Sequence, residues 1–147
     1  MEKEFIIKYE LINGKDELSE TDRKLYDAAA KVRETAYAPY SDFLVGCALL
    51  LESGEIITGS NQENAAYPSG LCAERTTIFW TSANHPDAKI KKIFVIGGPR
   101  TKPDAPATPP CGACRQSMLE YESKQKEEIE FFFSITKIGR ASCRERV

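Results

Sequence analysis

The sequence predicts one α/β domain in which helices pack on the faces of a mixed β-sheet. The chain has 147 residues, of which 41% are hydrophobic and 29% charged, an ordinary composition for a single globular domain. After a first helical segment, the apolar patterns follow the order strand, strand, helix, strand, helix, strand. This order is typical of an α/β sandwich, and no internal repeat or interdomain linker interrupts it.

The first helix is predicted to begin at Ser19 and to run to about Tyr37. Ser19 and Asp22 indicate a helix start, because a serine can cap free N–H groups of the first turn. Apolar residues then recur at helical spacing from Leu25 to Val32. Pro39 ends the pattern, since a proline disfavours helical geometry at the residue before it.

Four strands and two more helices are predicted after this helix. Residues 44–51 are a nearly continuous apolar run, which indicates a buried strand, and residues 56–60 return beside it after a turn at 52–55. Residues 90–96 and 129–136 are the third and fourth strands. One helix starts near Cys72, with Ile78 and Phe79 expected on its buried side and Trp80 left open. The other runs from Cys111 to about Tyr121, after a proline-rich, stiffened loop at 98–110.

Charge and cysteine usage narrow the function classes. The formal net charge is −2, so we expect no polynucleotide partner, which usually requires a basic excess. The first eleven residues contain no long apolar run, so we expect neither a signal peptide nor a membrane partner. The five cysteines follow a metal-binding rather than a disulfide pattern, which favours the reducing cytoplasm.

Three cysteines are the strongest functional signal. Cys72 is followed two residues later by Glu74, and Cys111 and Cys114 lie in a Pro-Cys-Gly-Ala-Cys motif. Three thiolates can hold one Zn²⁺ ion per chain, and a tetrahedral zinc with three protein ligands keeps its fourth position for water, as catalytic sites do. Glu74 would then act as general acid and base for that water, the pattern of zinc deaminases.

Two arginines are candidates to support the thiolates. Three thiolates leave the zinc site with a net charge of −1, which would weaken its effect on bound water. All three cysteines lie at or near predicted helix starts, where free N–H groups favour anions. Arg75 and Arg115 could also donate hydrogen bonds to sulfur. The alternative for each arginine is an ordinary solvated surface charge.

Other interpretations of the cysteine motif make different predictions. A redox dithiol would have no third cysteine partner, and a structural zinc site would need a fourth ligand. The candidates for that ligand are Cys47, Cys143 and His85. Cys47 lies in an apolar strand and fits a buried core thiol. His85 fits a loop position beyond a helix.

Four motifs, taken together, resemble the small, all-cysteine, homotetrameric cytidine deaminases of pyrimidine salvage. They are Pro-Tyr-Ser-Asp-Phe-Leu-Val-Gly at 39–46, Asn-Gln-Glu-Asn-Ala-Ala-Tyr-Pro at 61–68, Cys-Ala-Glu-Arg at 72–75, and the second cysteine motif ending in Cys-Arg-Gln at 114–116. The resemblance covers roughly residues 25–121. It implies a three-layer α/β/α sandwich with a central mixed β-sheet, one zinc ion, a small nucleoside substrate and assembly as a homotetramer.

The resemblance also implies roles for individual residues. Asn61 and Glu63 would hold the ribose 3′-hydroxyl, and Phe43 would pack on the pyrimidine. Tyr67 would reach toward the site of a neighbouring subunit, and Arg75 would donate to sulfur. We further expect the backbone N–H of Ala73 to donate to the base carbonyl. From the residues alone, the alternatives are that Asn61 and Glu63 stabilise a turn and that Phe43 is an ordinary core residue.

The predicted function is therefore hydrolytic deamination of cytidine and deoxycytidine to uridine and deoxyuridine plus ammonia, with Glu74 as catalytic residue. One alternative is a deaminase of another nucleoside-like substrate, such as blasticidin-type antibiotics, which share the Cys-Ala-Glu and Pro-Cys-Gly-x-Cys-Arg-Gln motifs. A second is a zinc-stabilised domain without activity. A third is a deaminase made inactive by loss of its C-terminal segment.

The ends of the chain give separate expectations. Residues 1–20 are interpreted as an N-terminal arm, of which 5–11 fit either a strand or an ordered arm, and 21–136 as the deaminase domain. Residues 137–147 read Lys-Ile-Gly-Arg-Ala-Ser-Cys-Arg-Glu-Arg-Val, which looks like an in-frame translation of a common sequencing adaptor. We therefore expect a non-native tail that packs against nothing, in place of the further strand and Leu-Leu-Pro motif of the resembled family.

Overall fold

The computed structural model describes residues 9–101, 109–134 and 138–142. They form a three-layer α/β/α sandwich around one mixed sheet, which confirms the predicted fold class. In chain order the elements are β1 (Glu10–Ile12), α1 (Glu20–Arg33), β2 (Phe43–Leu51), β3 (Ile56–Ser60), α2 (Ala73–Asn84), β4 (Ile90–Pro99), α3 (Gly112–Gln125), β5 (Glu130–Ser134) and β6 (Ile138–Ser142).

The sheet has the strand order β1-β6-β5-β4-β2-β3. Strands β4 and β5 are parallel, and the other neighbouring pairs are antiparallel. The parallel pair is joined by the crossover that contains α3, as parallel strands require a long connection. Because β2 and β4 are interior strands with helices on both faces of the sheet, the apolar runs that predicted them are buried on both faces.

Two apolar cores lie on opposite faces of the sheet. Alternation along β2 sends Cys47 and Leu49 to the core under α2 and α3, and Ala48 to the core under α1. Helix α1 packs directly on β2 at Gly46, where an added Cβ would lie 2.1 Å from the carbonyl oxygen of Ala29. The two faces therefore have different neighbours, a single amphipathic helix on one and the cysteine-bearing helices on the other.

Helix α1 begins as predicted but ends earlier. Ser19 is its N-cap and accepts a hydrogen bond from the N–H of Asp22 at 3.1 Å. The helix ends at Arg33, four residues before the predicted end at Tyr37. Tyr37 instead pairs with the segment after β3, since its N–H donates to the carbonyl of Asn61 at 3.0 Å. A long-range backbone contact thus overrides the local helical pattern.

The exposed side of α2 also differs from expectation. Ile78 is fully buried, as predicted, but Phe79 is 40% exposed and Trp80 51% exposed. Successive residues of a helix lie about 100° apart, so Ile78 on the sheet turns the next two residues toward the edge and the outside. The expectation that Phe79 faces the core was therefore wrong.

The segment near the C-terminus packs against the sheet over part of its length. Residues 138–142 form strand β6 between β5 and β1, and the side chain of Ile138 is 1% exposed. The expectation that 137–147 packs against nothing was therefore wrong for this strand. Its non-native origin and the domain limits at 20 and 136 stay predictions, and Cys143 lies outside the described residues.

Candidate metal centre and active site

Three cysteine sulfurs converge at the N-terminal ends of α2 and α3. The Sγ atoms of Cys72, Cys111 and Cys114 all lie within 4.8 Å of one another. The separation is 3.8 Å between Cys72 and Cys111, and 3.4 Å between Cys111 and Cys114. The structure therefore brings together the three residues that the sequence predicted as zinc ligands.

Local backbone geometry places these sulfurs. Cys72 is the N-cap of α2 and Cys111 the N-cap of α3, both with extended backbone angles, and neither side chain caps its own helix. Cys114 lies in the first turn of α3 and is completely buried. Because both helices begin at the same end of the sandwich, their free N–H groups and positive dipole ends face the cluster and favour thiolates.

The donor set fits zinc. Tetrahedral coordination with Zn–S bonds of about 2.3 Å places neighbouring sulfurs about 3.8 Å apart, and the observed separations of 3.8 and 3.4 Å are close to that value. A redox dithiol predicted no third cysteine partner, whereas a third sulfur is present here. Among the described residues, the cluster contains no fourth histidine, cysteine or carboxylate ligand, which is the composition of an open site.

The other proposed ligands lie elsewhere. Cys47 is fully buried in β2, and burial raises the pKa of its thiol, with the charge of Glu74 adding to the effect. His85 follows the C-terminal end of α2, and its ring lies 5.8 Å from that of Trp80. Both positions agree with the ordinary structural roles that the sequence suggested.

Glu74 is a buried carboxyl group beside the sulfurs. It lies in the first turn of α2 and is 4% exposed. Burial raises the pKa of Glu74 to about 7, because a carboxylate loses its hydration there, and the negative charge of Cys72 also raises it. A carboxyl group with a pKa near neutrality can both accept and donate a proton, as a general acid–base catalyst must.

Hydrogen-bond donors around Cys72 favour its thiolate. The pKa of Cys72 is lowered to about 5, first by a hydrogen bond from Cys114 and then by Arg75. The Nη2 of Arg75 lies 3.8 Å from the Sγ of Cys72. Arg115, in contrast, is exposed, and none of the hydrogen bonds described for the cysteine sulfurs involves it. The geometry thus distinguishes the two candidate arginines and places Arg75, the one that the resemblance indicated, beside sulfur.

A short backbone ladder ties the segment after β3 to the start of α2. Gln62 and Leu71 exchange two hydrogen bonds of 2.9 Å, one in each direction. Since Leu71 precedes Cys72 directly, Asn61 and Glu63 are held next to the metal centre. This arrangement brings the predicted substrate residues to the predicted metal ligands.

The side chains of Asn61 and Glu63 both hold the segment that carries Phe43. Asn61 donates to the carbonyl of Phe43 at 2.9 Å and accepts from the N–H of Val45 at 2.8 Å. Glu63 accepts from the N–H groups of Tyr40 and Ser41 at 2.9 and 3.3 Å, and from the Ser41 hydroxyl. The sequence had not indicated these backbone contacts.

The remaining predicted residues occupy different surroundings. Phe43 is half-buried, and an added Cβ at Gly97 would lie 3.2 Å from its ring, so the ring lies over this glycine. Its side chain points to the same sheet face as Cys47, the face that α2 and α3 cover. Ala73 is fully buried at the start of α2. Tyr67 lies in a short 3₁₀ helix and is 92% exposed.

Two polar residues of this region, Thr77 and Arg33, have contacts that their sequence positions did not indicate. Thr77 is buried and donates to the carbonyl of Ala73 at 2.6 Å, close to Gly59. Arg33 donates to the ends of β2 and β4. A threonine inside a helix and an arginine at a helix end are common in any sequence, so neither pattern carried a specific signal.

A separate cavity lies at the opposite end of the helix pair. It has a volume of about 240 Å³ and is lined by residues after α2 and in the last turns of α3, including His85, Tyr121 and Lys124. Its walls contain none of the cysteines or substrate residues discussed above. The cavity is therefore distinct from the metal centre.

Comparisons with known proteins agree with this geometry. Residues 19–126 match the family described as the cytidine and deoxycytidylate deaminase zinc-binding region. The chain is 44% identical to a cytidine deaminase of Halalkalibacterium halodurans over 96 residues, which cover 65% of this chain and 68% of the relative. It is 42% identical to a probable cytidine deaminase of Dictyostelium discoideum over 67% of this chain and 63% of the relative.

Solved structures show the same fold. A cytidine deaminase from Burkholderia pseudomallei superimposes with a TM-score of 0.69 and 36% identity, over 82% of this chain and 91% of that chain. A cytidine deaminase from Mycobacterium leprae gives a TM-score of 0.60 and 35% identity, over 72% and 83% of the two chains. Among the described helices, none is both long and apolar enough to span a bilayer.

Proposed function

The chain belongs to the cytidine and deoxycytidylate deaminase family, and from this premise we propose that it hydrolyses cytidine and deoxycytidine to uridine and deoxyuridine plus ammonia. The observation that carries the proposal is the placement of Glu74. It is buried two residues from Cys72, beside a cluster of three thiols with no fourth ligand among the described residues. A structural zinc site would need neither a buried acid nor an open ligand position.

The cysteines would hold the zinc, and this chain's other residues would move protons and orient the base. Cys72, Cys111 and Cys114 would hold the zinc ion, which would supply Lewis acidity for the attack of water at neutral pH. Glu74 accepts a proton from the attacking water and donates it to the ring nitrogen. It then transfers the proton of the added hydroxyl to the exocyclic amine, which leaves as ammonia.

Positive polarity near the sulfurs supports this chemistry. Arg75 approaches Cys72 at 3.8 Å and would offset part of the negative charge of three thiolates. The N-terminal ends of α2 and α3 contribute in the same sense. Arg115 remains a candidate for the same role, but its exposed position makes it the weaker of the two.

Substrate recognition would use the residues that border the metal centre. We assign the ribose 3′-hydroxyl to Asn61 and Glu63, the face of the pyrimidine to Phe43, and the base carbonyl to the N–H of Ala73. The carboxylate of Glu63 accepts three hydrogen bonds within the chain, which leaves one of its roughly four acceptor positions for the sugar. Polar contacts of this kind select strongly, because an analogue without its half leaves a buried group unpaired.

The assembly and setting follow from the same proposal. Tyr67 is almost fully exposed and would reach the site of a neighbouring subunit in a homotetramer. Three reduced thiols that hold one zinc ion per chain favour a reducing compartment such as the cytoplasm. The proposed substrate and product classes support a role in pyrimidine salvage.

The test is the loss of cytidine absorbance on mixing with the zinc-loaded chain. We expect turnover by the wild-type chain and a loss of about 10²- to 10⁴-fold in Glu74→Gln, the usual contribution of a general acid–base group. Asp22→Asn, which alters a buried carboxylate on the other sheet face, serves as the matched control and retains turnover.

Other outcomes separate the alternatives. Turnover of a blasticidin-type antibiotic but not of cytidine would assign the enzyme to the other substrate class. One zinc per chain with no turnover of either substrate would contradict the proposal and favour a zinc-stabilised domain or a deaminase that lacks part of its site.

A further inference from the structure

Arg33 connects the α1 layer to the ends of two central strands. It is the last residue of α1, and its guanidinium reaches the start of β2 and the end of β4. Its Nε donates to the carbonyl of Leu44 at 3.1 Å, and its Nη2 donates to the carbonyls of Gly98 and Pro99 at 3.0 and 3.4 Å. Nη1 also lies 3.6 Å from the carboxylate of Glu34. One side chain therefore contacts both β2 and β4.

The two strands that Arg33 joins carry Phe43 and the glycine beneath its ring. In the β2–β4 ladder, Phe43 pairs with Pro99 and Leu44 pairs with Gly98. The ring of Phe43 lies over Gly97, where an added Cβ would approach it to 3.2 Å. Arg33 thus binds the residue after Phe43 and the residue after Gly97. It fixes the ring and the surface on which the ring rests in relation to each other.

This part of β2 needs such support because its regular pairing is incomplete. The β2–β3 ladder begins only at Gly46 and Ser60, so residues 43–45 have a strand on one side only. On the other side, the side-chain amide of Asn61 makes the hydrogen bonds to the backbone of Phe43 and Val45 that a neighbouring strand would otherwise make. Before Phe43, Asp42 turns the chain with a φ of 53°, a left-handed conformation that few non-glycine residues adopt.

The close packing of α1 brings Arg33 into reach. An added Cβ at Gly46 would lie 2.7 Å from the backbone nitrogen of Arg33, so helix and strand are in direct contact there. The Arg33 side chain is 21% exposed, which leaves the guanidinium partly shielded from water. Hydrogen bonds from a charged donor are stronger than neutral ones, and partial burial preserves that strength.

We propose that Arg33 is a positioning residue for substrate binding, which holds Phe43 against the pyrimidine from the far side of the sheet. This inference rests on the proposed function, because it assigns Phe43 to the base. Arg33 itself touches neither the substrate nor the cysteines. Since the ring packs on the base before and during the reaction, its displacement weakens both states equally and raises KM without lowering kcat.

The experiment compares Arg33→Met, Arg33→Lys and Arg23→Met in the full zinc-loaded chain. We expect Arg33→Met to raise the KM for cytidine about tenfold, the loss expected for one charge-assisted hydrogen bond, with kcat within about twofold. Arg33→Lys keeps the charge but loses the planar guanidinium that donates several hydrogen bonds at once, so its KM should lie between those of the wild type and Arg33→Met. Arg23 is on the same helix and donates to Leu18 at 3.4 Å, far from the β2–β4 end, and its variant should match the wild type.

Two further measurements separate the possible failures. Cytidine affinity in a Glu74→Gln background reports binding without turnover, and it should fall by the same factor in Arg33→Met. Amide hydrogen exchange over residues 42–46 should accelerate in Arg33→Met but not in Arg23→Met. Zinc content should stay at one per chain, because the cysteines are anchored on the other face.

A wild-type chain that turns over cytidine, with an unchanged KM in Arg33→Met, would overturn the role of Arg33 and leave the proposed function standing. A fall in kcat as large as the rise in KM, together with loss of zinc, would also overturn it, since that pattern indicates general destabilisation. If the wild-type chain neither binds nor deaminates cytidine, the proposed function fails, and with it the assignment of Phe43 that gives Arg33 its role.

Discussion

Two buried carboxyl groups occupy comparable positions on opposite faces of the sheet. Asp22 lies in the first turn of α1 and is 6% exposed, and Glu74 lies in the first turn of α2 and is 4% exposed. Asp22 has a complete set of partners. Its carboxylate contacts the ammonium of Lys92 at 2.6 Å and the hydroxyl of Ser19 at 2.6 Å.

Glu74 has a different environment. Among the ion pairs of the described residues, none includes Glu74. Its neighbours are thiols that can themselves become negative, and the positive charge of Arg75 offsets only part of the burial effect on its pKa. Burial therefore raises its pKa to about 7. A cation beside a buried carboxylate offsets its desolvation cost, whereas a buried carboxyl group without an ion pair keeps that cost and has a raised pKa suited to proton transfer. The difference indicates which face carries the chemistry.

The largest expected effect concerns the thiols of the α2–α3 face. Cys114→Ala should reduce bound zinc from about one per chain to a small fraction and abolish turnover, because two sulfurs cannot hold the ion firmly. Cys47→Ala is the matched control, a fully buried thiol of the same face outside the cluster. Metal analysis of both purified variants decides the matter, and equal zinc in the two would remove Cys114 from the ligand set.

The next largest effect is the difference in stability between variants that neutralise each of the two carboxyl groups. Asp22→Asn should lower the free energy of unfolding by about 1–3 kcal/mol, because it leaves the Lys92 pair without its charge, and should retain turnover. Glu74→Gln should show little or no destabilisation, since no ion pair is lost. Thermal unfolding of the zinc-loaded variants measures this difference. A larger stability loss in Glu74→Gln than in Asp22→Asn would break the comparison.

The smallest effect is the coupling between Asp22 and Lys92. Lys92 also contacts Glu130 at 3.0 Å, so it keeps one partner when Asp22 is changed. Lys92→Met should lower the free energy of unfolding by more than the loss of a surface ion pair does, because Asp22 then remains buried without a cation. In a double-mutant cycle with Asp22→Asn we expect a coupling of about 1 kcal/mol. Additive losses would show that the pair contributes no specific interaction.

Much of the fold could be predicted because its signals are local. The hairpin of β2 and β3, the Ser19 cap and the helix starts at both cysteine motifs follow from short patterns of apolar, capping and turn residues. Two expectations about where elements end and which side they bury were wrong. Helix α1 stops at Arg33 because Tyr37 pairs with Asn61, and Phe79 is exposed because Ile78 takes the contact with the sheet.

The candidate site shows the same division. Spacing alone indicated the candidate zinc ligands and acid–base residue, Cys72, Cys111, Cys114 and Glu74. Only a few residue types bind zinc or transfer the protons of the water it would hold. The contacts of Asn61 and Glu63 with residues 40–45 could not be predicted in this way, since they join side chains to backbone about twenty positions away. The bridging role of Arg33 was equally hidden, with Gly98 lying 65 residues further along the chain.

The sequence by itself determined the type of chemistry, the class of metal and the alternation of strands and helices, since each depends on residue type and short-range spacing. Only the tertiary structure decided which of the two buried carboxyl groups lacks an ion pair, which arginine approaches sulfur and which side chains contact the backbone around Phe43. Burial and pairing depend on what the rest of the chain brings to the same point in space, and a carboxylate, an arginine or a phenylalanine has the same letter in either environment.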